Sequence, residues 1–426
     1  MTTPPGPNGR PTPVHPFGGL FSPEKPDPLQ ANRLLRGTAA RRWFDMLAWG
    51  VEEDLYTYLQ PFDRGAGARV HHGGDSLLML SSYDYLGLIG HEAIEQAAIK
   101  AVHEVGTGTG GVRLLSGTVR LHTELEAAIA SFLDLEAAIT FSSGYAANTA
   151  VLTTLFNPRD LVVADARIHR SVIEGCRGAG VPVRTFRHND MESLERRLQA
   201  RPRGRVLVAV EGIYSMDGDI CPLPEVLEIT ERHGTLLMVD DAHSLGVLGS
   251  RGRGLHEHFG IESTAVDIWT GSLSKAIPAN GGYVAGSRSL IVLLQHEAAP
   301  FVFSAALAPP SVAAARASLD VIDEEPERIE RAWRNAAALR AELAGLGYCL
   351  RGETPLIPLI VGDEEDAWRL TRELFDLGVV AQAVTYPAVP RGASILRLCA
   401  TASLTSEDIR FAGGAFASAR DRLESG

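Results

Sequence analysis

Between residues 137 and 269 the chain repeats one pattern: a short apolar run, a turn, then a stretch with helical spacing. The runs stand at 137–141, 161–164, 183–186, 206–210, 236–239 and 266–269. They are continuously apolar and have no polar face, so each strand must be covered on both sides. Parallel sheets flanked by helices meet that demand, because every parallel crossover lays a helix over one face. The pattern therefore predicts an α/β domain with a mostly parallel sheet over about 76–310. Such sheets bind ligands beyond the carboxyl ends of their strands, so the residues that follow each run are the ones to search.

The flanks read differently. Residues 1–30 are rich in Pro and Gly, a composition that cannot bury enough apolar surface to order itself, and predict a mobile tail. Residues 31–75 predict an N-terminal helical segment. Beyond 310 a long helical pattern and then a β-α-β-β-α order predict a smaller α+β domain over 311–426. The 40 basic and 52 acidic residues leave a net charge of -12, which argues against a nucleic-acid or anionic-membrane partner. Apolar runs fall well short of the roughly 20 residues of a membrane span. Four widely spaced cysteines, no C-x-x-C pair and no signal-peptide pattern at the N-terminus fit a cytoplasmic protein.

Several strand ends carry chemistry. Lys275 follows the run at 266–269 among small residues, Gly271-Ser-Leu-Ser-Lys275. A lysine that is buried there becomes nucleophilic and suited to a Schiff base, although a lone loop lysine is the commoner case. Ser143-Gly144-Tyr145 begins a helix after the first run, a setting for a phosphate cradle or for an ordinary strand-to-helix turn. Asp240, Asp241 and His243 follow the run at 236–239; they suit a metal, though nothing nearby completes a ligand set, or a cationic ring nitrogen. His169, Glu211 and Ser215 sit at two further strand ends. Arg397, in an apolar strand, needs an anion, either from the protein or from a substrate carboxylate. Gly106-Thr-Gly108-Thr-Gly-Gly111 has dinucleotide-fold spacing but follows a predicted helix rather than a strand, which weakens that match.

Taken in order, the motifs resemble the α-oxoamine synthase family of fold-type I pyridoxal 5'-phosphate (PLP) enzymes, which have an aspartate aminotransferase-like fold. The resemblance spans about 81–402. It rests on Ser-Tyr-Asp-Tyr-Leu-Gly at 82–87, Leu-Ser-Gly-Thr at 115–118 with His122, and Ser-Gly-Tyr-Ala-Ala-Asn at 143–148. His188-Asn189-Asp190, the stretch 211–219, Asp-Asp-Ala-His-Ser-Leu-Gly at 240–246, Ser-Leu-Ser-Lys at 272–275, Phe303-Ser304 and Pro387-Ala-Val-Pro390 complete it. The motifs are most similar to the serine palmitoyltransferase and amino-oxononanoate synthase branches.

The resemblance implies a PLP-dependent C-acyltransferase that joins a small L-amino acid to an acyl-CoA or acyl-carrier-protein thioester, with loss of carbon dioxide. Lys275 would carry PLP as a Schiff base and act as general base. Asp240 would pair with the ring nitrogen, His243 with the ring hydroxyl, and His169 would stack on the ring. Gly144, Tyr145 and Ser272 would hold the phosphate, with Ser304 supplied by the partner subunit of a homodimer that shares its active sites. Glu211 and Ser215 complete the implied cofactor set, and Arg397 and Tyr83 the substrate set. Tyr83, where several relatives carry Asn, leans the reading towards serine, with alanine and glycine open. The rival readings are an aminotransferase or C-S lyase on the same fold, and a non-catalytic partner subunit.

Overall fold

The computed structural model describes residues 17, 20–21, 27–35, 38–65, 67–199 and 204–425. Most of the stretch 1–30, read above as a tail, lies outside the described residues. A helix at Thr38–Glu52 leads to an antiparallel ribbon of β1 (Asp63–Arg64), β2 (Arg69–His72) and β3 (Asp75–Met79).

The central sheet follows. It contains β4 (Ala137–Phe141), β5 (Leu161–Asp165), β6 (Val183–Phe186), β7 (Val206–Glu211), β8 (Leu236–Asp240), β9 (Ile268–Ser274) and β10 (Pro278–Gly286), in the order β4-β10-β9-β8-β7-β5-β6. The pairings from β9 through to β6 are parallel, while β10 runs antiparallel to both neighbours. Alternate residues of β5, β7 and β8 enter two different cores. Val163, Val208 and Val239 pack on one side, and Val162, Leu207 and Met238 on the other. Two-sided burial explains why these strands are apolar at every position. Each such side chain contributes about 1.5–3 kcal/mol on leaving water.

β10 was not among the predicted strands. Its Gly281, Gly282 and Gly286 break the apolar pattern, and the reason lies in packing. A Cβ on Gly282 would stand 2.3 Å from the Gly144 amide nitrogen, so only glycine lets the helix Gly144–Leu155 start against the sheet.

Past the helices Pro309–Glu324 and Glu327–Gly345 come β11 (Leu356–Gly362), β12 (Val379–Val380), β13 (Ala383–Val384) and β14 (Ser394–Cys399), then the helix Ser406–Ser425. β11, β14 and β13 form an antiparallel sheet, and β12 pairs in parallel with β3. Leu55, Leu78 and Leu80 share a core with Leu339, Leu396 and Phe416, so the two ends of the chain pack together. That packing brings Arg397 on β14 to Tyr83. No helix among the described residues is long and apolar enough to cross a membrane.

Candidate active site

A cavity of about 290 Å³ opens at the carboxyl ends of the central strands. Lys275, Asp240, His243, His169, Gly144, Tyr145, Glu211, Ser215, Ser272, Tyr83 and Arg397 all line it. Ser304 does not. It lies in the turn after the helix Ala299–Val302, with its hydroxyl 3.5 Å from the Ala305 carbonyl oxygen. Asp241 is also outside the cavity wall, so the two adjacent acids do not converge with His243 on one point. A larger cleft, of about 640 Å³, runs past Ser82, Asp84 and Gly87 and holds none of the reactive groups.

Strand register sets the acids. Asp240 is the last residue of β8 and lies opposite Glu211 of β7 on one side and Thr270 of β9 on the other. The Asn148 amide donates to Asp240 at 2.6 Å and to the Ser171 hydroxyl at 2.8 Å, and its own carbonyl accepts from Thr270 at 2.6 Å. The Ala242 amide gives Asp240 a second donor at 3.1 Å. Burial, reinforced by the charge of Asp240, pushes the Glu211 carboxyl well above its ordinary range. One Glu211 oxygen accepts from the Ser215 amide at 3.3 Å, and the other is buried without a partner. The carboxyl of Glu211 is thus pushed towards its neutral form beside an acid clamped by donors.

The histidines are ordered in the same way. His169 caps the helix Arg170–Ala179, and its Nδ1 faces the Ser171 hydroxyl at 2.7 Å and amide at 3.3 Å. An N–H pointing at Nδ1 makes that nitrogen the acceptor, so the ring proton sits on Nε2. Burial lowers the affinity of both His169 and His243 for a second proton, His243 the more strongly, helped by the Lys275 charge. Both rings are neutral near pH 7.

Lys275 follows β9 directly, in the bend before β10. Burial depresses its pKa against the opposing pull of Asp240 and Glu211, and no carboxylate among the described residues forms an ion pair with it. Its ammonium faces the Tyr83 ring, 6.0 Å from the centroid. The same ring carries the Arg397 guanidinium at 4.5 Å, and Arg397 donates to the Tyr83 hydroxyl. Among the described residues Arg397 has no carboxylate partner, so the structural ion pair to the large domain is not made. An unpaired guanidinium enclosed in this way favours an incoming anion.

Gly144 and Tyr145 form the first turn of their helix, whose opening amides have no partner within the helix. Ser143 caps it through the Ala146 amide at 3.1 Å. A Cβ on Gly144 would lie 3.2 Å from the Gly271 carbonyl oxygen and 3.3 Å from the Ser272 Cβ, so the helix start and β9 are in close contact. Free amides, a helix dipole and the Ser272 hydroxyl together suit a phosphate.

Sequence reasoning gave no role to Asn148, Ser171, Thr270 or Tyr85. Asn148 had a signal: it lies one helical turn beyond Gly144, on the same face. Its partner Asp240 is 92 residues away, and no local pattern announces that contact.

The chain matches the model of the aminotransferase class I and II family over residues 75–415. The 8-amino-7-oxononanoate synthase of Symbiobacterium thermophilum is 42% identical over 366 residues, which cover 85% of this chain and 93% of that one. The serine palmitoyltransferase of Sphingomonas wittichii has a similar structure, with a TM-score of 0.86 at 31% identity over 94% of this chain and 100% of that one. A structure of SPT with its PLP internal aldimine gives the same TM-score, identity and coverage.

Proposed function

This chain belongs to the aminotransferase class I and II family and is a PLP-dependent acyltransferase of the α-oxoamine synthase type, and on that footing we propose that it condenses a small L-amino acid with an acyl thioester. In that reaction the α-carbon bonds to the acyl carbon, the thiol departs, and the carboxylate leaves as carbon dioxide. Arg397 carries the reading, as an enclosed guanidinium with no carboxylate of its own beside a buried, uncommitted lysine.

The cavity fits the cofactor. Gly144, Tyr145 and Ser272 offer a phosphate cradle that a Cβ at Gly144 would crowd, and the unpartnered Glu211 oxygen still lacks a hydrogen-bond partner. When bound, PLP supplies an electron sink that lets the amino acid lose its α-proton. Asp240, oriented by Asn148 and Ala242, holds the proton of the ring nitrogen. His169 would offer its ring face, and His243 its free nitrogen, to the ring. Lys275, its proton affinity lowered by burial, takes up the α-proton at Nζ. Arg397 holds the substrate carboxylate, with Tyr83 fixing the guanidinium plane.

We place alanine ahead of serine and glycine. Tyr83 leaned towards serine, but the 42% relative is named for 8-amino-7-oxononanoate, in which the carbon bearing the amine also bears a methyl group. A methyl at that position is what alanine leaves once its carboxylate is gone.

A homodimer goes with this reading. Phe303 and Leu115 are 85% and 83% exposed, and the two segments that carry them are linked by the bridge from Val112 to Ala305. Exposed apolar groups so placed favour burial against a second copy, with Ser304 reaching the partner's phosphate. The division into a PLP-binding domain over 76–310 and a small domain over 311–426 is proposed with it, as is a cytoplasmic location.

The test is to supply purified holoenzyme with alanine, serine or glycine and with CoA or carrier-protein thioesters of graded length, and to identify products by mass. An α-amino ketone with one equivalent of carbon dioxide is expected, and fastest from alanine. Keto acid formation without carbon dioxide would replace this reading with an aminotransferase.

A further inference from the structure

Tyr85 takes no part in the chemistry described so far, yet it is 1% exposed and its hydroxyl lies 2.8 Å from Nδ1 of His243. The two rings meet edge to face, with centroids 6.1 Å apart. The hydroxyl also has the Cys399 thiol, on the same strand as Arg397, as a hydrogen-bonding neighbour. His243 itself lines the cavity.

We infer that Tyr85 is a positioning residue that fixes His243 in the tautomer with its proton on Nε2, so that the imidazole presents a donor to the cavity. The phenol carries one proton and has two neighbours able to accept it. A neutral imidazole nitrogen is a far better acceptor than a thiol sulfur, so the proton points at Nδ1. Nδ1 is then the acceptor and Nε2 carries the ring proton. Burial holds Tyr85 and Cys399 protonated and His243 neutral, so all three groups stay in the states this order needs. His169 has its tautomer fixed by Ser171, and His243 has its own fixed by Tyr85; both rings then carry the proton on Nε2. The tautomer stands on this chain's residues alone, and only its catalytic consequence rests on the function proposed above.

Nitrogen NMR of [15N]histidine-labelled apoprotein tests it, with the His243 signals assigned by their loss in His243→Asn. A pyridine-like Nδ1 and a pyrrole-like Nε2 are expected. Tyr85→Phe keeps the ring and removes one atom, and should move both shifts towards a mixture. A wild-type proton on Nδ1, or a Tyr85→Phe pattern identical to wild type, overturns the inference. In the holoenzyme, Tyr85→Phe should displace the absorbance maximum of bound PLP and lower kcat about two- to tenfold, with the amino-acid KM within about twofold. A raised KM with kcat kept would also overturn it. Should the wild type make no α-amino ketone while the NMR pattern holds, the proposed function fails and the tautomer assignment survives.

Discussion

His188 offers the sharpest energetic test of the frame behind the site. Its Nδ1 lies 2.9 Å from Asp165 and its Nε2 2.8 Å from Asp219, and its ring meets Tyr214 edge to face at 4.4 Å. Both nitrogens face carboxylates, so both must donate and the ring must be an imidazolium. Burial alone would lower its pKa, but the hydrogen bonds and charges of Asp165 and Asp219 outweigh burial and push it up to about 10. A rise from 6.5 to about 10, at about 1.36 kcal/mol per unit, corresponds to nearly 5 kcal/mol. The side chain keeps 21% of its exposure, and solvent screening brings that to about 2–3 kcal/mol. Because the folded pKa is the raised one, this stability is fully present below about 6.5. It declines as pH climbs and is gone above about 10. Urea unfolding of wild type and His188→Gln from pH 6 to 10.5 measures it. The variant should be weaker by about 2–3 kcal/mol at pH 6.5, and the gap should close towards pH 10. Subtracting the two curves removes the titration of other groups. A gap that stays constant across this range would refute the imidazolium bridge.

The remaining predictions concern the cavity. Lys275→Ala should leave the circular dichroism spectrum unchanged, remove the absorbance band of lysine-bound cofactor, and cut turnover by at least about 10⁴-fold; retained activity would disprove the site assignment. Arg397→Met should raise the amino-acid KM about 100-fold and leave the thioester KM nearly unchanged, in steady-state kinetics with each substrate varied in turn. Gly282→Ala places a Cβ 2.3 Å from the Gly144 nitrogen and 2.4 Å from the Ser143 carbonyl carbon, both backbone atoms. It should cost about 1–3 kcal/mol in thermal unfolding and weaken PLP binding to the apoprotein about tenfold or more.

The parallel core was legible because strands buried on both faces must be apolar throughout, and the polar residues that end them then stand out. Asp240, Glu211, His169 and Lys275 each follow such a run, and the cavity gathers all four. Arg397 stood out as a charge inside an apolar strand. What escaped was set by close approach or by distant partners. β10 carries Gly282 because the Gly144 helix presses on it, and that requirement acts across the fold rather than along the chain. The bond from Tyr85 to His243 spans 158 residues, and a tyrosine in a Ser-Tyr-Asp-Tyr stretch gives no sign of which imidazole it serves. The β-α-β-β-α order foresaw a strand here, but its division into the two-residue strands β12 and β13 is set by their different partners, β3 and β14, so no local period marks the break.

The place of β10 has a consequence for how the molecule is made. β4 ends the sheet and bonds only to β10, yet 136 residues of sequence separate Phe141 from Ile277, where the β10 hairpin begins its return. During synthesis from the N-terminus, β4 therefore leaves the ribosome with an unsatisfied edge that persists until β10 slides in between it and β9. Arg397 arrives later still, 314 residues after Tyr83. A chain halted between Lys275 and β14 holds the lysine and the acids but not Arg397. On the function proposed above, capture of the amino acid's carboxylate would be reserved for finished molecules.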